Sequence, residues 1–228
     1  QKFFRLRYQK KAKEIINQNH KELFLLLENI IIKFKFDYKH SMTFWGDSLF
    51  LLNFYLKFKP KLTLEFGSGA STLVFCYGAK LLNKNFSNDY KIISIDENES
   101  YLDHIVKPAI PQDYRQYIDI QFSETDLKYY KNDLGIYYKN KPKEKIDLIY
   151  VDGPQFNKGV YDKSEYKYNE KNLMNIKTKP FDSDTIDILE QNNGLVVIID
   201  QRISSVWKLI KYTRHRIINR KYFFSAKK

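Results

Sequence analysis

Apolar positions along this 228-residue chain fall into two regimes. Between residues 11 and 35, Ile15, Ile16, Leu23, Leu26, Leu27, Ile30 and Ile31 recur at steps of three and four with charges between them, which predicts a helix with one buried face. A second amphipathic segment, residues 48–58, stops at Lys59-Pro60, because proline disfavours a helical residue before it. Beyond that point short apolar runs alternate with helical stretches. The runs are 62–66, 91–95, 118–122, 146–151 and 195–199, most with Ile, Leu or Val on successive rather than alternate positions. Strands buried on both faces read this way, and they belong to parallel sheets covered by helices. Residues 72–82, 100–106, 181–190 and 204–212 are the intervening helices, so the pattern predicts an open, mostly parallel α/β sheet. Residues 203–228 are expected to give one helix and a final hairpin.

Two stretches break the alternation. Residues 124–145 and 153–180 are polar and rich in Tyr and Lys, and both flank the run at 146–151. Loops of this length inside a compact domain are uncommon and usually functional or disordered. Only 153–180 leaves the carboxyl end of that strand, which is where open α/β sheets bind ligands, so it is the expected substrate loop. Its Tyr161, Tyr166 and Tyr168 could stack on a sugar or aromatic ring, or be ordinary surface tyrosines.

Composition narrows the class. A chain of this length buries enough surface to fold without disulfides or a structural metal. The single cysteine, Cys76, leaves no disulfide framework and no cysteine-based zinc site, and suits a reducing compartment; a cytoplasmic protein is expected. No run of 18 apolar residues exists, so no membrane span is expected, and Gln1-Lys2-Phe3-Phe4-Arg5 lacks the apolar centre of a signal peptide. The net charge of +12 is concentrated at the ends: six Lys/Arg and no acid in residues 1–13, seven and no acid in residues 211–228. The middle is electrically balanced. The excess of Lys over Arg, with abundant Asn, Ile, Phe and Tyr, matches the codon bias of an AT-rich genome, and the basic ends are either solvated or face an anionic surface. Nucleic acid is not an expected partner.

The chemistry concentrates in Leu62-Thr-Leu-Glu65-Phe-Gly67-Ser68-Gly69-Ala-Ser71-Thr72. A strand ends near Glu65, and two glycines open a helix whose first amides and partial positive charge suit a carboxylate or phosphate. Glu65 beside the turn can accept from an ammonium group; it would repel a pyrophosphate, whereas a zwitterionic amino acid finds both partners. The second strand ends in Asp96, where a carboxylate can take both hydroxyls of a ribose or cap the next helix. Gly69 and Asp96 are 27 residues apart, which fits a long first helix followed by a polar loop over 83–89.

With these residues placed, residues 45–212 resemble a class I S-adenosylmethionine-dependent methyltransferase. The resemblance implies a Rossmann-like sheet of about seven strands with helices on both faces, in a domain over 45–228 preceded by an N-terminal helical extension over 1–44. In that family the glycine loop holds the methionine part of the cofactor and the acid after the second strand holds the ribose. Carried over, the cofactor residues are Glu65, Gly67, Ser68, Gly69, Ser71, Thr72, Asp96 and Asp152, with Ser71 where the motif's third glycine usually stands. Trp45-Gly46-Asp47 either closes over the cofactor or packs Trp45 in the core.

The fourth strand ends Val151-Asp152-Gly153-Pro154, without the Asn/Asp-Pro-Pro-aromatic motif of relatives that methylate amino groups or bases. It is similar instead to small-molecule and sugar O-methyltransferases with a Val-Asp-Gly motif. The fifth strand ends Ile199-Asp200-Gln201-Arg202. Metal-dependent O-methyltransferases similar to catechol O-methyltransferase carry two Asp and an Asn at matching positions, which would make Asp152, Asp200 and Gln201 the ligands of a Mg²⁺ ion, with Gln201 one methylene longer than the Asn. Methyl transfer to a hydroxyl needs its proton removed, by a base or by a metal, and Asp152 is the candidate for either role. None of His20, His40, His104 and His215 sits in a motif; Arg202 could orient an anionic substrate or form a surface ion pair. The expected activity is therefore O-methylation of a carbohydrate or related small molecule, as in surface-glycan modification. The alternative is a degenerate fold that docks an anionic polymer through its basic termini. A nicotinamide-dependent oxidoreductase is disfavoured, since Tyr161 and Lys163 lack the Tyr-x-x-x-Lys spacing.

Overall fold

The computed structural model of the chain describes residues 2–33, 44–86, 89–155, 180–191, 195–200 and 202–213. They group into a helical unit (residues 1–61, 68–92 and 103–119) and a strand-rich unit (residues 62–67, 93–102 and 120–228). The predicted strands 62–66, 91–95, 118–122, 146–151 and 195–199 all form. They are β1 Leu62–Phe66, β2 Lys91–Asp96, β3 Ile118–Phe122, β6 Leu148–Val151 and β8 Val196–Ile199, in the sheet order β3-β2-β1-β6-β8. β1 pairs parallel with β6, and β6 with β8.

The sheet has five strands among the described residues, not about seven. The three further strands make a sheet of their own, β4 Thr125–Tyr130, β5 Asp133–Tyr138 and β7 Phe181–Asp182, in the order β4-β5-β7. So the stretch 124–145, expected as a loop, holds an antiparallel hairpin that reverses at Lys131, whose φ is 55°. Its strands mix buried with partly exposed positions, and their Asp, Lys and Tyr residues made the stretch read as polar. The expected final hairpin, the tyrosines 161, 166 and 168, and Gln201 lie outside the described residues.

In the strand-rich unit the core is built from Leu64 and Phe66 of β1, Ile93 and Ile95 of β2, Ile149 and Val151 of β6, Ile199 of β8 and Tyr138 of β5. Ile188 of α6 (Asp184–Gln191) and Val206 and Leu209 of α7 (Ile203–Thr213) pack against them. Successive apolar residues on β1, β2 and β6 are buried, as expected of strands covered on both faces.

In the helical unit the expected helix over 11–35 is two, α1 Lys2–Asn19 and α2 Lys21–Lys33. They are parted at His20, where the hydrogen bonds His20 N–H to Ile16 O (2.8 Å) and Phe24 N–H to His20 O (2.9 Å) carry the helical pattern across. α3 (Phe44–Phe58) ends where Lys59 turns to a φ of 54° before Pro60. Trp45 is core: it is 2% exposed and stacks on Phe24 with ring centres 5.5 Å apart. α4 (Ala70–Phe86) runs through most of the expected polar loop, and Asn83 explains the join that follows. Its side-chain amide donates to Tyr90 O (3.1 Å) and accepts from Tyr90 N–H (3.0 Å), imitating a peptide group at the entry to β2.

The strand-rich unit also buries two carboxyls. Asp182 and Asp184 are 2% and 0% exposed. Asp182 accepts from the amide and hydroxyl of Thr185, while Asp184 accepts from Tyr138 N–H (2.8 Å) and pairs with Lys141 (2.5 Å). Burial raises the pKa of both above the ordinary carboxylate range. A carboxyl raised in the folded state binds its proton more tightly there than in the unfolded chain. Its contribution is therefore full below about pH 4 and declines as pH rises towards the folded pKa. Asp182→Asn is expected to reduce the loss of stability as pH rises from about 5 to about 8, because one of the two raised carboxyls is removed. His20, whose pKa burial lowers, works in the opposite direction, so urea midpoints of variant and wild type are compared at each pH. Parallel pH curves would refute the expectation.

Candidate functional site

The strand register aligns the chemistry. Phe66 of β1 lies opposite Val151 of β6, and Val151 opposite Ile199 of β8, so Gly67, Asp152 and Asp200 leave the sheet side by side. Backbone hydrogen bonds extend the ladder past the strand ends: Gly67 N–H to Ile95 O (2.8 Å), Asp152 N–H to Phe66 O (2.8 Å) and Asp200 N–H to Val151 O (2.9 Å). The chain runs outward from β1 through β2 to β3 and resumes on the other side of β1 with β6. The switch in strand order therefore falls between β1 and β6, the place where open α/β sheets form their ligand crevice.

Two glycines meet at this switch. Gly67 has a φ of 88°, and a Cβ there would stand 2.4 Å from Gly153 N. A Cβ on Gly153 would stand 2.5 Å from the Tyr138 hydroxyl and 2.6 Å from Gly67 Cα. Gly153 N–H also donates to Phe66 O (2.6 Å), sharing that carbonyl with Asp152. The glycine of the Val-Asp-Gly motif is thus explained by packing: the turn after β6 lies directly on the turn after β1.

Three acidic side chains stand at the carboxyl ends of neighbouring strands. Glu65 is fully buried and accepts from the Ser94 hydroxyl at 2.6 Å. Asp96 is 7% exposed and accepts from Asn98 N–H at 2.8 Å. The cap of the following short helix α5 (Glu99–Tyr101) is Asn98, so Asp96 is not that helix's cap. Asp152 is exposed.

Tyr101 reports the field these carboxylates make. Its hydroxyl pKa is pushed up to about 12, first by burial and then by the charges of Asp96, Glu65 and Asp152. The phenol therefore keeps its proton at neutral pH, within a region of negative potential. It sits immediately before a π-helical turn, Leu102–Val106, a local irregularity often found at functional sites. The sequence carries no signal for that turn, and Tyr101 was not among the residues it singled out.

On the β8 side, burial raises the pKa of Asp200, against the opposing effects of the Tyr150 hydroxyl (3.4 Å) and the Arg202 charge. The Arg202 guanidinium donates to the carbonyls of Asp152 and of Pro154 (2.6 Å). It holds the backbone of the acidic turn. Asp152 and Asp200 supply two hard ligands, but among the described residues no group of three His, Cys, Asp or Glu side chains is placed to hold a metal ion. Gln201, the third expected ligand, lies outside the described residues, and no step below passes through a Mg²⁺ ion.

The remaining predicted residues belong to the helical unit, at and before the start of α4. Ser68 and Thr72 are buried, Ser71 is partly exposed, and Gly69 N–H donates to the Thr72 hydroxyl oxygen at 2.8 Å. No helix among the described residues is long and apolar enough to cross a membrane. Comparison with protein-family models and with curated protein sequences finds no match for this chain. The site is therefore read from its own chemistry. It offers a buried carboxylate beside a glycine turn, a second carboxylate ending β2, and an exposed third, an arrangement suited to a ligand that carries positive charge and a pair of hydroxyls.

Proposed function

We propose that this chain is an S-adenosylmethionine-dependent methyltransferase that methylates a hydroxyl of a carbohydrate or related small molecule. The observation that carries the reading is the placing of Glu65, Asp96 and Asp152 at the carboxyl ends of the neighbouring strands β1, β2 and β6, beside the paired glycine turns. A pyrophosphate cofactor would be repelled there, whereas a ligand bearing an ammonium, a sulfonium and a ribose is matched group by group. Glu65 would take the ammonium, the Gly67 turn would approach the methionine backbone, and Asp96 would take the ribose hydroxyls. The bound cofactor supplies a methyl group activated by its sulfonium.

The chain's own part is positioning and proton removal. Holding the acceptor oxygen in line can contribute roughly 7–11 kcal/mol, so no covalent nucleophile is required. Asp152, exposed on a turn fixed from both sides, would accept the hydroxyl proton, a role typically worth about 10²–10⁴ in rate. The carbohydrate class of the acceptor comes from the resemblance.

Calorimetric titration of S-adenosylmethionine in EDTA, repeated with excess Mg²⁺, tests the reading. Micromolar binding in EDTA is expected, with loss in Asp96→Ala. Absence of binding under both conditions would refute it and favour a module that docks an anionic polymer.

A further inference from the structure

We propose that Glu97 is a positioning residue that fixes Asp152 relative to the cofactor end of β2, an inference that rests on the methyltransferase reading above. Glu97 directly follows Asp96 in the chain. Its two carboxylate oxygens are divided between two other parts of the strand-rich unit: Oε1 accepts from Gln155 N–H at 2.9 Å and Oε2 from the Tyr138 hydroxyl at 2.8 Å. Tyr138 is fully buried and lies flat on Phe66, with ring centres 5.3 Å apart and planes 16° from parallel. The Phe66 carbonyl in turn receives the amides of Asp152 and Gly153. The turn from Asp152 to Gln155 is thus held by β1 through Phe66, by the segment after β8 through Arg202, and by the end of β2 through Glu97.

The link depends on the length of the glutamate side chain, which lets one carboxylate reach both partners, the Gln155 amide and the Tyr138 hydroxyl. A glutamine would lose the charge but could still accept from the Gln155 amide and donate to the Tyr138 hydroxyl oxygen, whereas an aspartate keeps the charge but is one methylene short of both partners. With the link broken, Asp152 would remain tethered through Phe66 and Arg202 but would lose its fixed spacing from Asp96. The carboxylate would then act less strongly on a cationic centre bound at the site, while a neutral ligand of the same shape would scarcely register the change.

That difference gives a test that needs no acceptor. S-adenosylmethionine and S-adenosylhomocysteine differ by a methyl group and a positive charge, so the ratio of their affinities reads the field at the sulfur. Both would be titrated calorimetrically into wild type, Asp152→Asn, Glu97→Asp and Tyr138→Phe, with near-ultraviolet circular dichroism to verify folding. Asp152→Asn is expected to lower the ratio by about five- to tenfold, the order of effect of a charge acting across a few ångströms in a half-buried site. Glu97→Asp is expected to lower it nearly as far although the charge is retained, with S-adenosylhomocysteine affinity within about twofold of wild type. Tyr138→Phe, which removes one tether and no charge, should move the ratio in the same direction. An unchanged ratio in Glu97→Asp and Tyr138→Phe, or equal weakening of both ligands, would overturn the proposal by leaving Glu97 only a charge or only a scaffold. Failure of the wild type to bind either ligand would instead refute the parent reading.

Discussion

Gly67→Ala is expected to be the most destabilising single substitution at the site, by about 3–5 kcal/mol. Two independent costs combine. A side chain at a φ of 88° is strained by about 1–3 kcal/mol, because the Cβ meets its own backbone there. The new Cβ would also lie 2.4 Å from Gly153 N and 2.8 Å from both Asp152 C and Gly153 Cα. All three are backbone atoms, pinned by hydrogen bonds to Phe66 and Arg202, so no rotamer change relieves the contact and a further 1–3 kcal/mol is expected, on the order of other overpacked sites. Against a typical domain stability of about 5–15 kcal/mol this is a large fraction. Gly153→Ala should cost less, since no positive φ is involved and one of its near neighbours is the Tyr138 hydroxyl. The double variant should cost less than the sum, because the first Cβ already forces the turns apart. Urea unfolding of the three variants checks the argument; a Gly67→Ala protein as stable as wild type would show that the two turns are not in contact.

Glu65→Gln is expected to do the reverse at the same place: weaken S-adenosylmethionine binding by about 10- to 150-fold while leaving stability unchanged or slightly higher. The side chain is fully buried, and glutamine has nearly the same shape and keeps an oxygen for the Ser94 hydroxyl. Removing a charge from the interior relieves a desolvation penalty. What is lost is the charge-assisted hydrogen bond to an ammonium group, worth about 1.5–3 kcal/mol. Stability and binding therefore move apart, which a residue of purely structural importance would not produce. Thermal unfolding without ligand and calorimetric titration with it are the two measurements. A parallel fall in both would make Glu65 a structural residue and remove the main argument for an amino-acid-bearing cofactor.

The strands of the central sheet could be read from local pattern because burial on both faces demands apolar residues at closely spaced positions: β6 is an unbroken apolar run, and β1 and β2 carry buried Leu, Phe or Ile around the buried polar residues Thr63, Glu65 and Ser94. Glu65, Gly67 and Asp96 were visible for a related reason: each stands at or just beyond the end of such a run, where a glycine or carboxylate is conspicuous. The hairpin β4–β5 was hidden because strands that mix buried with partly exposed positions keep polar residues, and their Asp, Tyr and Lys residues look like those of a loop.

Local pattern in the chain was enough for the α/β class, the five strand positions and the carboxylates at their ends, since each depends on residues close together in sequence. Tertiary structure alone assigned Gly153 to the back of Gly67, Arg202 to the carbonyls around it, Glu97 to Tyr138 and Gln155, and Tyr101 to the field of three carboxylates. Those partners lie between 5 and 86 positions apart. A hydrogen-bond partner or a steric neighbour at such distances is set by strand order and register, which bring the strand ends level and which no local pattern of apolar and polar residues encodes.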